Sequence, residues 1–143
     1  MGILTLAMPI LLLSAVASAP ALLFSAVAPA SEPGTVTFSA VATPVEVGRP
    51  FEVVVTVEAP TVADCHTEAR VAGEVTHEAD SDAVQVVGSC DSEDGSVFRV
   101  AFTPERPGEH HWRVVYRQGD FERAGGGSFT AVRPAPGDDH RRR

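Results

Sequence analysis

Apolar residues recur at every second position through most of the stretch from residue 35 to residue 132, and this period favours half-buried β-strands. In residues 97–102, Phe98, Val100 and Phe102 fall on one side and Arg99 on the other. In residues 110–117, His110, Trp112, Val114 and Tyr116 alternate with His111, Arg113, Val115 and Arg117. Residues 50–58 repeat the pattern through Phe51, Val53, Val55 and Val57, and residues 35–41 through Val36, Phe38 and Ala40. Residues 67–75, residues 83–87 with Val84 and Val86 inward, and residues 128–132 read as further strands. Turn-forming clusters separate them, among them Asp80-Ser81-Asp82, Asp94-Gly95, residues 104–108 and residues 125–127. Pro104 and Pro107 cannot donate ladder hydrogen bonds, so the chain is expected to pass there from one sheet to the other. Phe98 and Phe102 are then expected to face Trp112 and Tyr116 across the core. Seven short strands in roughly 100 residues, with no helical period, predict an all-β fold, a single seven-stranded immunoglobulin-like β-sandwich.

The first 31 residues contain no Asp, Glu, Lys or Arg. A segment this apolar reads as an N-terminal hydrophobic helix, either a signal peptide or a transmembrane anchor. Removal is best placed after Ala30, behind Ala28-Pro29-Ala30. Retention is favoured by length: the uncharged run exceeds the usual apolar region of about 7–15 residues in a signal peptide. It suffices for the roughly 20 residues of a membrane span, which would put residues 3–28 in contact with lipid. Both alternatives place the rest of the chain outside the cytoplasm, periplasmic, secreted or tethered. The expected organisation is residues 1–30 as signal or anchor, 31–133 as the sandwich and 134–143 as a disordered tail, whose Pro, Gly and charge leave nothing to bury.

Two cysteines in an exported chain of this size, Cys65 and Cys90, predict one disulfide. In a seven-stranded sandwich the loop after the second strand and the loop after the fourth lie at the same end, so the two sulfurs can meet. In the chain-entropy view such a bridge is worth about 3.5 kcal/mol. The formal net charge is −8, and all eleven cationic residues are arginine. That balance argues against nucleic acid, whose phosphates require a basic face.

Residues 91–132 resemble the second half of a filamin-type immunoglobulin-like repeat. The resemblance rests on Asp94-Gly95 before a strand, Phe102-Thr103-Pro104 at its end, Pro107-Gly108 before the next, Tyr116 and Gly119 around its close, and Gly127-Ser128-Phe129 opening the last. Upstream only residues 47–55 match; the two cysteines and the lack of a proline after Ser128 are departures. The same region is similar to the N-terminal immunoglobulin-like modules of secreted bacterial carbohydrate enzymes. Such modules imply a fold that hosts many roles rather than one activity.

No nucleophile elbow, zinc-protease helix or phosphate loop occurs, so no enzyme and no cofactor is expected. His110 and His111 read as inward scaffold and outward surface. His77, Asp80, Asp82 and His110 are weak candidates for a metal site; Asp91, Glu93 and Asp94 form an oxygen-rich turn without the spacing of a calcium hand. Cys65 with His66 is disfavoured as a metal pair, because a disulfide removes the thiolate. Binding of an unidentified protein partner is the expected role. The filamin resemblance implies strand addition at a sheet edge, here residues 66–75 with Glu68, Arg70 and Val71, although charged edges usually resist pairing. A second candidate surface is residues 117–127, read as a glycine-mobile loop carrying Phe121, Glu122 and Arg123. Two other roles stay open: a single-span accessory subunit of a respiratory or photosynthetic membrane complex, the sandwich capping its outer face, and a metal- or carbohydrate-binding module.

Overall fold

The computed structural model describes residues 31–41 and 44–136. Nine strands and one helical turn follow in order: β1 (Val36–Ala40), β2 (Val45–Glu46), β3 (Phe51–Val57), α1 (Cys65–Glu68), β4 (Ala69–His77), β5 (Val84–Val87), β6 (Ser89–Cys90), β7 (Val97–Phe102), β8 (Gly108–Gln118) and β9 (Phe121–Val132). They form two sheets, ordered β1-β3-β7-β6 and β2-β9-β8-β4-β5. The all-β sandwich is as expected. The hydrophobic helix expected over residues 1–30 lies outside the described residues, as do residues 137–143 of the expected tail. Among the described residues no helix is long and apolar enough to cross a membrane.

The strand count differs from seven because two strands are only two residues long, too short to show a period. β2 pairs in parallel with β9, so the first edge of the chain divides between the sheets. The expected fourth strand, residues 83–87, becomes β5 and pairs with β4, while β6, just beyond it where a loop was expected, pairs with β7 in the other sheet. Gly88 lies at the crossing, its N–H donating to Val71 O. A Cβ there would stand 2.8 Å from Val100 Cγ2 and 2.9 Å from Arg99 O, so only glycine lets the strand pass this close.

The inward faces of β3, β7 and β8 supply most of the core. Val55, Phe98, Val114 and Tyr116 are essentially without solvent contact. Phe98 meets Tyr116 edge-on at 5.4 Å, as expected. The other aromatic contacts run differently: Trp112 lies against Phe51, and Phe102 against Phe129 and His110. Val84, expected inward, is 54% exposed, in β5 at the edge of its sheet.

The segment 117–127, expected to be a mobile loop, is instead the hairpin of β8 and β9. Its turn is Gly119-Asp120, and Gln118 pairs with Phe121. The glycines serve close packing rather than mobility. A Cβ on Gly125 would overlap the Phe38 ring, and one on Gly127 would press on the Trp112 indole at 3.1 Å. The missing side chains leave space that Phe38 and Trp112 fill.

Candidate interaction surface

One end of the sandwich is closed. Cys65 in α1 and Cys90 in β6 form a disulfide with Cα atoms 6.2 Å apart. Asp64 caps α1, accepting from His66 N at 3.0 Å and from the Thr67 hydroxyl; these bonds hold its carboxyl below the usual range. Glu68 Oε2 accepts from Asp64 N at 2.7 Å, so the two carboxylates bind the helical turn reciprocally. Beside them the Tyr116 hydroxyl donates to Gln118 Oε1 at 2.9 Å, and Gln118 Nε2 donates to Thr61 Oγ1 at 2.7 Å. Burial pushes the Tyr116 phenol up in pKa. Neither Gln118 nor Thr61 stood out in the sequence, because a buried glutamine at a strand end has no pattern of its own.

At the opposite end the loop after β4 meets the loop after β7. His77 Nδ1 accepts from Ala79 N at 3.1 Å while its Nε2–H donates to Pro107 O at 2.9 Å, a pair of bonds that sets the tautomer. Arg106 pairs with Asp80 across the same gap. His110 is 3% exposed, stacked on Phe129 with ring centres 4.9 Å apart and edge-on to His77 at 4.8 Å. Burial lowers its pKa, opposed by its bond to Gly108 O. His111 is exposed, against Glu109.

The four weak metal candidates thus come to one end, lining a cleft of about 420 Å³. Their chemistry is otherwise committed: both nitrogens of His77 are bonded, and Asp80 faces a guanidinium. No group of three or more His, Cys, Asp or Glu among the described residues is arranged to hold a metal ion. In the acidic turn, Asp91 binds Arg99 and Asp94 accepts from Ser96, whose hydroxyl lowers the Asp94 pKa.

The expected sheet edge is corrected. Residues 69–75 lie in β4, an interior strand flanked by β8 and β5. Within it Val71 is buried, and Arg70 points from the outer face toward a depression shared with Glu74, Gln85, Arg113 and Arg117. Glu68 is occupied at the helical turn. Of the second group, Phe121 is buried under the Arg123 guanidinium at 4.3 Å, and Glu122 pairs with Arg117 at 2.6 Å. The edge of this sheet beside β4 is β5, while β2 flanks β9 and the other sheet ends in β1 and β6. β5 carries no charged residue, and it holds two of the three exposed large hydrophobic residues of the described chain, Val84 at 54% and Val87 at 68% exposure.

No family model matches the chain, and no curated protein does. Solved structures with some likeness to it include a candidate glycoside hydrolase from Bacteroides vulgatus, 25% identical with a TM-score of 0.46, over 68% of this chain and 17% of that one. A conjugative transposon lipoprotein from Bacteroides eggerthii is 14% identical with a TM-score of 0.38, over 66% of this chain and 95% of that one. The fimbrial major subunit AggA of Escherichia coli is 15% identical with a TM-score of 0.33, over 70% and 95%. The chain spans less than a fifth of the hydrolase, and none of these similarities indicates a filamin repeat in particular.

Proposed function

We propose that the chain is a non-catalytic immunoglobulin-like interaction module that works outside the cytoplasm and binds a protein partner by strand addition along β5. The observation that carries this reading is the uncharged β5 edge with Val84 and Val87 in solvent. Edge strands are ordinarily blunted by charge, proline or a covering segment, because unpaired N–H and C=O groups invite another chain. β5 has none of these guards, and its β-branched residues suit pairing. The Cys65–Cys90 bridge supports an oxidising compartment.

Site-specific photo-crosslinking in the native cells tests this. A photoreactive residue at Val87 is expected to yield one protein adduct of defined mass, and the same residue at Ser39 on the opposite flank to yield none. Substituting Gln85→Lys, which leaves the core untouched, should reduce the Val87 adduct several-fold, because a lysine on an edge strand guards it against pairing. Equal labelling from Val87 and Ser39, or no adduct from either, contradicts the reading.

A further inference from the structure

The side of the sandwich below β5 is incompletely closed, and its chemistry names the partner segment. β6 pairs with β7 only at Phe98 and Arg99, whereas β3 pairs with β7 along residues 97–102. Asp91 N donates to Val97 O on the β6 side. Backbone groups alternate along a strand, so those of Ala101 also face that side, past the end of β6. β6 does not reach them, β5 approaches β7 but is paired only with β4, and Ala101 is exposed.

This open half-edge borders the 420 Å³ cleft, whose floor includes Val75, Phe102 and His110, with Val84 beside them. Asp82 and Glu105 also line it. Neither forms an ion pair among the described residues, where Arg106 is spent on Asp80. His110 adds a second, independent sign. Its Nδ1 is committed to Gly108 O, and its Nε2 has no partner among the described residues. Since no fully buried side-chain nitrogen or oxygen of these residues lacks a partner, Nε2 must reach solvent, and the cleft is the opening the ring lines. In neutral imidazole with Nδ1 donating, Nε2 is an acceptor waiting for a donor.

We propose that this cleft receives an extended partner segment in which an apolar side chain is flanked by arginine. The proposal rests on the interaction-module reading and adds to the contact along β5 a second one, on β7 in the other sheet. The segment's backbone extends the line of β6 at Ala101, its apolar side chain sits between Val84 and Phe102, and its guanidinium groups meet Asp82, Glu105 and His110 Nε2. Arginine suits this better than lysine because its planar donors serve a carboxylate and an imidazole together.

The probe is the blocked peptide Thr-Arg-Val-Arg-Thr, titrated into the isotope-labelled full chain by NMR, with Thr-Glu-Val-Glu-Thr as control. The arginine peptide is expected to shift Val84, Ala101 and Phe102, and the glutamate peptide to leave them in place. Replacing both Asp82→Asn and Glu105→Gln should weaken binding roughly tenfold, from the loss of two solvent-exposed charge contacts. Ala101→Pro removes a donor on the open side only, so it should weaken binding while the resonances of β3 persist. Equal binding of both peptides, or shifts confined to other strands, overturns the proposal. So does movement of the same resonances on deletion of residues 137–143, which would make the chain's own arginines the occupant, or on dilution, which would make it a second copy. A Val87 adduct that persists when the peptide fails leaves the interaction module standing and removes only this site.

Discussion

The two ends of the sandwich are built from similar loops and held by different physics. At one, a disulfide, a doubly capped helical turn and the Tyr116–Gln118–Thr61 chain of hydrogen bonds join both sheets. At the other, an exposed Arg106–Asp80 pair and the His77 bonds bridge two loops over an open cleft. The closed end keeps its polar groups satisfied by one another. At the open end, His110 Nε2, Asp82 and Glu105 retain bonding capacity. Rigidity and unspent chemistry are thus segregated, an arrangement suited to a module that holds its shape while presenting one side to a partner.

The contrast can be broken most severely at the closed end. Removing the bridge with Cys65→Ala and Cys90→Ala is expected to cost about 3.5 kcal/mol, read from urea midpoints. Tyr116→Phe strands the buried Gln118 Oε1 and should cost about 1–3 kcal/mol in the same assay. Arg106→Gln, at the open end, should cost less than about 1 kcal/mol because the pair is solvent-exposed.

Acidity sharpens the comparison in the other direction. The His110 pKa is depressed in the folded chain, by burial first and also by His77 and Arg106, with Glu78 and the Gly108 carbonyl opposing. Phe129 and Phe102 complete its surroundings. The unfolded chain takes up a proton as pH falls through the ordinary value of 6.5, while the folded chain resists. This contribution to stability is therefore present above that value and lost as pH drops toward the depressed one. Urea unfolding at stepped pH should show wild type losing more stability below pH 6.5 than His110→Phe, in which the titrating group is absent. Parallel curves would show that His110 does not couple folding to protonation.

Much of the sandwich was legible because burial on one face imposes a period of two, and β3, β7 and β8 show it over long runs. The cysteine pairing followed from two cysteines in an exported chain, and loop positions allowed both the sulfurs to meet and His77 to share an end with His110. What escaped was set by contacts distant in sequence. Gly125–Gly127 look like a hinge until Phe38 and Trp112 are seen filling their places. β4 looks like an edge until β5 is seen to pair with it before the chain crosses at Gly88 to β6 in the other sheet. The open half of β7 is invisible in its own residues, because it is defined by where β6 stops.

Amide hydrogen exchange on the full chain addresses the division between the ends most directly. Opening free energies differ between strands held by packing and edges held by little. The account predicts slow exchange for Tyr116 and Val114 in interior β8, and fast exchange for Ala101, whose N–H faces the uncovered side of the sandwich. Protection of Ala101 equal to that of Tyr116 in the isolated chain would contradict it.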